Sequence, residues 1–307
     1  MLTIADIRAV GPTTWNGWKG QLLRTLFNAT AQLVDGRPAD KGQAERIAEA
    51  KAALQAAAAS EFPADAIARF VERHYADYWL KTDTPRHLEH LRLSARAEAS
   101  ASSFATVCQS DAFTAVTELS VLAPNHPRLL SLFAGACAAT GANIVGAYIA
   151  TTRDGFALDT FLLQREFDED ADERRRAERI SDSIGKLLTG EVRLSTLMAK
   201  KREVKGSLRA FSVASEVVID NTISDQFTVI EVAGLDRPGL LYEVTSALSD
   251  LSLDITSAHI TTFGERAVDA FYVTDLTNNQ IKSPARNAAI KKRLLEVLGD
   301  VREPAGA

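Results

Sequence analysis

The sequence predicts an α+β protein, an all-helical N-terminal segment followed by two ferredoxin-like βαββαβ domains. Three observations predict it. The first hundred residues place their apolar side chains at helical spacing. After residues 100–103 (Ser-Ala-Ser-Ser) the period changes to that of strands alternating with helices. And the stretch that begins at Thr114, TAVTELSVLAPNHPRLLSLFAGACAATGANIVGAYIATT, returns in altered form from Thr228 as TVIEVAGLDRPGLLYEVTSALSDLSLDITSAHITTF.

In the helical part, a short helix is expected over about Thr3 to Ala9. After a Gly11-Pro12 turn comes a longer one carrying Leu22, Leu23, Leu26, Phe27 and Leu33, which Asp35-Gly36-Arg37-Pro38 ends. Residues 41–60 are rich in alanine and favour a helix on propensity alone. Phe62-Pro63-Ala64-Asp65 opens another, with Ile67, Phe70 and Val71. Thr82-Asp83-Thr84-Pro85 opens a fifth that runs to about Ala99.

In the repeats, Pro127-Arg128-Leu129-Leu130 aligns with Pro238-Gly239-Leu240-Leu241, and Asn143-Ile144 with Asp254-Ile255. Ala147 and Ile149 align with Ala258 and Ile260, all at an offset of 111; Asp159 and Phe161 align with Asp269 and Phe271 at 110. The one-residue change falls where a hairpin turn is expected (Asp154-Gly155; Gly264-Glu265), because a slip inside a strand would turn every side chain to the wrong face. Each copy begins with a β-rich run (Phe113 to Val121; Phe227 to Val232) and a proline-containing loop. A helix follows, with its apolar stripe at 129, 130, 133, 136, 137 or 240, 241, 244, 247, 248, 251. Two strands and a second helix complete the copy. The second helix of copy one enters through the acidic run Asp168 to Glu173, read as a solvated first turn that suits the helix dipole; that of copy two follows Ser283-Pro284. A further β-rich run, Val213 to Ile219, follows the first copy and is expected to complete it. Four divisions result: 1–34, 35–103, 104–222 and 223–307.

Composition limits the function. A chain of 307 residues allows two domains or three small ones. With 46% hydrophobic and 24% charged residues it is an ordinary globular protein. A net charge of −5 argues against a nucleic-acid surface. Cys108 and Cys137 are too few and too scattered for a disulfide framework or a zinc site, and read as small hydrophobes in a reducing cytoplasm. Leu2 to Asp6 carries no signal-peptide pattern, so a cytoplasmic location is expected. The uncharged stretch between Arg128 and Arg153 is not read as a membrane span. Thr140-Gly141-Ala142-Asn143 interrupts it, and its sibling carries Glu243, Asp250 and Asp254.

No catalytic constellation stands out. Gly185-Lys186 lacks the rest of a phosphate loop, and no G-x-G-x-x-G, G-x-S-x-G or H-E-x-x-H is present. His87-Leu88-Glu89-His90 has no third ligand in view and reads as an exposed polar face, so no metal site is expected. The informative feature is the loop before the second repeat's first helix. Gly239 lets backbone and ligand approach closely, the helix that starts at Leu240 and Leu241 offers free N–H groups to a carboxylate, and Asp236 can cap the helix or accept an ammonium group. Arg237 belongs to the same loop, and strand residues around Ile255 to His259 are expected to close the pocket.

Asp236-Arg237-Pro238-Gly239-Leu240-Leu241, with Leu253-Asp254-Ile255 and Ala258-His259-Ile260, resembles the ACT domain, a βαββαβ module that binds amino acids and regulates enzymes. Tandem copies after a helical region, together with residues 5–12 (ADIRAVGP), Trp15-Asn16-Gly17-Trp18-Lys19, Tyr78-Trp79-Leu80, Asp220-Asn221 and residues 227–232 (FTVIEV), resemble the C-terminal portion of the bifunctional PII uridylyltransferase/uridylyl-removing family. That resemblance implies an HD-type helical remnant over 1–34, a helical connector over 35–103 and ACT domains over 104–222 and 223–307. It implies glutamine or another amino acid as ligand, the PII signalling protein as partner, and ACT sheets that pair side by side, as in a homodimer. The family's nucleotidyltransferase carboxylates and His-Asp motif are not found in these residues, so neither catalytic residues nor a cofactor is expected in this chain, Mg being expected only for the catalytic domains. The implied function is glutamine sensing in nitrogen regulation. The alternatives are a free-standing amino-acid-binding regulator acting on a separate partner, a dimerisation module, and a shortened enzyme that keeps activity. Copy one carries Arg128 where copy two has Gly239, so the ligand is expected in the second repeat.

Overall fold

The computed structural model describes residues 39–100, 103–199, 213–263 and 265–299. The expected helices before Ala39, their terminator Asp35-Gly36-Arg37-Pro38, the division 1–34 and the turn residue Gly264 lie outside the described residues. The chain falls into two compact units. Of the described residues, one unit takes those up to Pro124 with Thr151–Leu158 and Arg165–Arg174; the other takes Asn125–Ala150, Asp159–Gln164 and those from Arg175 on.

The first unit holds α1 (Ala39–Ala58), α2 (Ala64–Arg73), α3 (Ala76–Lys81), α4 (Thr84–Ala99) and the antiparallel hairpin β1 (Ala105–Asp111) and β2 (Val116–Pro124). Leu54, Ala58, Ile67, Phe70, Trp79, Leu91 and Leu93 form its core. The start of α4 follows from local chemistry. Asp83 caps it, its carboxylate accepting the Arg86 N–H at 3.1 Å, and Pro85 occupies the first turn, where no N–H is needed. Asp83→Ala is expected to lower stability by about 1 kcal/mol in urea denaturation, the usual cost of a lost cap. Two elements of this unit were not legible in the sequence. The six-residue α3 is too short to show a period, and β1 precedes the run that predicted β2. Phe113, expected to begin a strand, sits 83% exposed in the turn between them.

The first unit corrects two readings. His87 and His90 are not an exposed polar face; they are 0% and 1% exposed. His90 Nδ1 lies 2.9 Å from the Tyr78 hydroxyl and its Nε2 3.2 Å from the Ser120 hydroxyl, while His87 Nε2 lies 2.6 Å from the Thr82 hydroxyl. His74 stacks on Tyr78 with ring centroids 4.0 Å apart. Burial holds all three imidazoles below their ordinary pKa, His74 and His87 at about 4. Periodicity could not reveal this, because a histidine can fill a buried position once its ring has a polar partner, as Nδ1 of His74, Nε2 of His87 and both nitrogens of His90 have. Second, the acidic run is not solvated throughout. Glu173 is fully buried and accepts the Thr117 hydroxyl and the N–H groups of Glu166 and Phe167.

The remaining elements are α5 (Leu129–Ala139), β3 (Ile144–Tyr148), β4 (Phe156–Gln164), α6 (Asp170–Leu188), α7 (Leu194–Ala199), β5 (Glu216–Asp220), β6 (Thr228–Leu235), α8 (Leu240–Asp250), β7 (Leu253–Phe263), β8 (Arg266–Asp275) and α9 (Pro284–Leu298). The class is the expected one, helices followed by a duplicated α+β unit. In the second unit the strand order is β4-β3-β7-β8-β6-β5, and the neighbouring pairs are antiparallel. The apolar stripes of α5 and α8 are buried as their spacing requires. Buried Cys137 has its thiol pushed up to about 12, an inert core side chain. Among the described residues no helix is long and apolar enough to cross a membrane, and the uncharged stretch resolves into α5, a turn and β3.

One strand goes where it was not expected. The run that follows the first copy, β5, pairs with β6 from Glu216↔Ala233 to Asp220↔Val229. It therefore serves the second copy, and each copy runs β-β-α-β-β-α along the chain. The physical reason is proximity: a short loop joins β5 to β6, so their pairing closes a small loop at little entropic cost.

The two copies meet through β3 and β7, whose register is Gly146↔Thr261, Ala147↔Ile260 and Tyr148↔His259. Tyr148 and His259 are the same repeat position, 111 residues apart. Two equivalent antiparallel strands that pair at the same position are related by a local two-fold axis through that pair. Helices α5 and α8 pack together on the same arrangement. Gly135 makes the approach possible, since a Cβ there would lie 2.7 Å from the Leu194 methyl groups and 3.0 Å from the Tyr242 ring.

Candidate functional site

The loop Asp236-Arg237-Pro238-Gly239 leads from β6 into α8, with Gly239 as the residue before the helix at φ +92°. That left-handed conformation costs an L side chain about 1 kcal/mol or more and costs glycine nothing. No side chain caps α8. The Leu240 N–H turns back to the Arg237 carbonyl at 3.0 Å, and the Glu243 N–H donates to the Gly239 carbonyl at 3.0 Å. Leu241 and Tyr242 lie between them in the first turn, where N–H groups have no intrahelical acceptor.

Beside this helix start is a narrow, half-open cleft whose enclosed space is small, about 20 Å³. One wall is the loop and first turn, Asp236 to Tyr242. The floor is Ile260, Thr262, Ala267 and Asp269 of β7 and β8. The opposite wall comes from the first copy: Ala134 and Ala138 of α5, Ala142, Asn143 and Ile144. The local two-fold explains this, because it sets the helix start of one copy against the helix end of the other. Asn143 links the walls, its Nδ2 donating to Asp236 Oδ2 at 3.3 Å and to Gln164 Oε1 at 3.3 Å.

Two carboxyl groups face this space. Burial pushes the Asp236 pKa up, opposed by hydrogen bonds from Asn143, the Arg237 backbone and Thr262. Burial also pushes Asp269 up to about 7, opposed by the Thr261 N–H and reinforced by the nearby Asp236 charge. The one basic side chain of the cleft is engaged elsewhere: the Arg237 guanidinium holds the Glu243 carboxylate and the Val297 carbonyl. The arrangement thus offers backbone donors to an anion from the first turn of α8 and carboxyl oxygens to a cation from Asp236 in the same wall and Asp269 in the floor, beside small alanine side chains.

Of the residues singled out in the sequence, Asp236, Arg237, Gly239, Leu240 and Leu241 come together here. Ile255 and His259 are not among the lining residues. His259 is exposed on the sheet face opposite buried Ala258 and Ile260, at the two-fold position, with its ring 6.2 Å from that of Tyr272. Ile255 pairs with Val273 beside a bulge. Its repeat counterpart Ile144 lines the cleft instead. Asn143, Tyr242, Thr262 and Asp269 were not singled out. The signal for two of them was present, since the repeat alignment itself contains Asn143 and Asp269; what was missing was which copy faces which.

Residues 223–296 match the family of ACT domains described as the ACR family N-terminal ACT domain. The chain is 50% identical to the bifunctional uridylyltransferase/uridylyl-removing enzyme of Rhodopseudomonas palustris over 100% of its own length, and 49% identical to that of Bradyrhizobium diazoefficiens over 97%. This chain is similar throughout to an ACT-bearing portion of that enzyme family. It spans about a third of the length of those relatives, 33% and 32%. Among solved structures, an aspartate kinase from Synechocystis matches with a TM-score of 0.32 and 14% identity over 61% of this chain and 28% of that one, too distant a likeness to support an argument. The cleft beside Gly239 therefore lies in the matched ACT segment, with its far wall outside it.

Proposed function

We propose that this chain is the glutamine-sensing regulatory portion of a cytoplasmic uridylyltransferase/uridylyl-removing enzyme that acts on the PII protein, and that the ligand binds in the cleft beside Gly239. The observation that carries the reading is that an uncapped helix start and two carboxyl groups, Asp236 and Asp269, line one small cleft. A free amino acid presents a carboxylate and an ammonium group on one carbon, and both kinds of partner line this cleft. The α8 amides suit the former and the carboxyl oxygens the latter. Its side chain would lie against Ala134 and Ala138 of the first copy. Catalysis belongs to segments of the relatives that this chain does not span.

The way such a ligand would regulate follows from where its contacts come from. The cleft is built from both copies, so a bound amino acid strengthens the arrangement in which α8 faces α5 and β3 pairs with β7. A ligand shifts an equilibrium only by its difference in affinity for the two states, and here that difference is the first copy's wall. Titration calorimetry of the 307-residue chain with L-glutamine, then with the other amino acids, is expected to give one site per chain. Asp236→Asn is expected to remove detectable binding, a loss of about tenfold or more, by taking away the ammonium's charged partner. Flat titrations across all amino acids would sink the reading.

A further inference from the structure

The local two-fold implies a counterpart to the cleft. It would join the first copy's loop, Asn125-His126-Pro127-Arg128, to the helix end of the second copy and to Asp254 and Ile255. The first copy keeps the same backbone there. Arg128 precedes α5 at φ 73°, left-handed like Gly239 although it is not glycine, and no side chain caps α5. The Leu129 N–H turns back to the His126 carbonyl at 3.1 Å and the Leu132 N–H donates to the Arg128 carbonyl at 3.0 Å, the pattern seen at Leu240 and Glu243.

Two features differ from the open cleft. The Arg128 guanidinium reaches across to α8 and binds Asp250 Oδ1 at 2.6 Å, one residue past Ser249, the counterpart of the cleft-lining Ala138. And Asp159, the counterpart of Asp269, is 2% exposed, with Oδ1 lacking any hydrogen-bond partner. Both aspartates take the N–H of one repeat position, Ala150 for Asp159 and Thr261 for Asp269. The remaining carboxyl capacity of Asp269 faces the cleft; that of Asp159 is buried and unmet. An unmet buried acid is costly and calls for an explanation.

We propose that the place beneath Arg128 is a second amino-acid site, repeat-related to the first, which the Arg128–Asp250 ion pair keeps closed. This rests on the proposed function for the chemical class of the ligand, an α-amino acid. Its ammonium would meet Asp159 and its carboxylate the start of α5. The Arg128 side chain is the closing element because its counterpart, Gly239, has none. The Arg128–Asp250 pair is more than half exposed on both sides, so it is a weak tie and a replaceable one.

Arg128→Gly tests this without straining the backbone, since glycine is the natural residue for that φ. Calorimetry with L-glutamine is expected to give one site per wild-type chain and two per Arg128→Gly chain. Adding Asp159→Asn should remove the new site alone, and adding Asp236→Asn should remove the original one alone. A stoichiometry that stays at one in folded Arg128→Gly overturns the proposal and leaves the first cleft untouched. If the wild type binds no amino acid, the first reading fails by itself; Arg128→Gly then still supports the second site if it binds one ligand that Asp159→Asn abolishes, and overturns it if it binds none.

Discussion

Replacing Gly239 with arginine is expected to abolish amino-acid binding while the chain stays folded. The fold should survive because the repeat contains its own control. Arg128 holds the same left-handed conformation at the equivalent position, so an arginine can be accommodated there at a backbone cost of about 1–2 kcal/mol. The cleft should not survive. A Cβ on residue 239 would meet Ala138 Cβ at 3.6 Å, an ordinary contact, but the rest of an arginine side chain would have to run between the walls or over the mouth. Its guanidinium would also satisfy Asp236 and Asp269, the carboxyl groups meant for the ligand. Gly239→Ala separates the two effects: it adds the backbone strain without the bulk and should weaken binding far less. The loss for Gly239→Arg should exceed about 100-fold, or roughly 2.7 kcal/mol. Calorimetry decides it, and an affinity for L-glutamine equal to that of the wild type would show that the ligand does not enter here.

Acid is expected to destabilise the first unit. His74, His87 and His90 are buried and neutral, with folded pKa values below the ordinary 6.5 and at about 4 for His74 and His87. In the unfolded chain they regain protons near pH 6.5. Between pH 6.5 and 4 the unfolded state thus binds more protons than the folded one, and stability falls as pH drops through that window, levelling off below it. A shift from 6.5 to about 4 corresponds to at most roughly 3 kcal/mol per histidine. The groups close by are Arg73, Arg86, Asp83 and Asp154, and the two arginines oppose protonation further. In the second unit the sign reverses. Asp159 and Asp269 have carboxyl groups raised to about 7, so the folded state holds protons that the unfolded state releases. Their contribution is full below about pH 4 and is lost as pH rises through 7. Urea denaturation followed by Trp79 emission in a Trp15→Phe/Trp18→Phe background reads the first unit. Hydrogen exchange in α8 and β8, corrected for intrinsic rates, reads the second. A Trp79 midpoint that stays constant from pH 7 to 4.5 would contradict the neutral, buried histidines.

Particular residues show how far the sequence alone carries. The α4 boundaries are legible because Asp83 and Pro85 act within one helical turn, and the α5 and α8 stripes because a helix repeats its buried face every 3.6 residues. Asp236 and Gly239 are legible because a glycine before a helix and an acid beside it have local meanings. His259 illustrates the limit. It lies on the strand expected to close the pocket, yet alternation turns it to the other face and the register sets it on the two-fold axis. Ile255 shows the same limit from another side: the residue type at that repeat position was informative, but the copy that uses it at the open cleft is the first, through Ile144.

What the sequence by itself determined is the duplication, the main helices and strands of each copy, and the loop where a ligand can approach backbone. These depend on periods and turns that act over a few residues. Only the tertiary structure decided that β5 serves the second copy, that β3 and β7 join the copies, that the cleft takes its far wall from the first copy, and that three histidines and two aspartates are buried. Strand partners and the burial of polar groups are chosen by contacts between distant segments, and hydrophobic spacing along the chain carries no record of which distant segment supplies the partner.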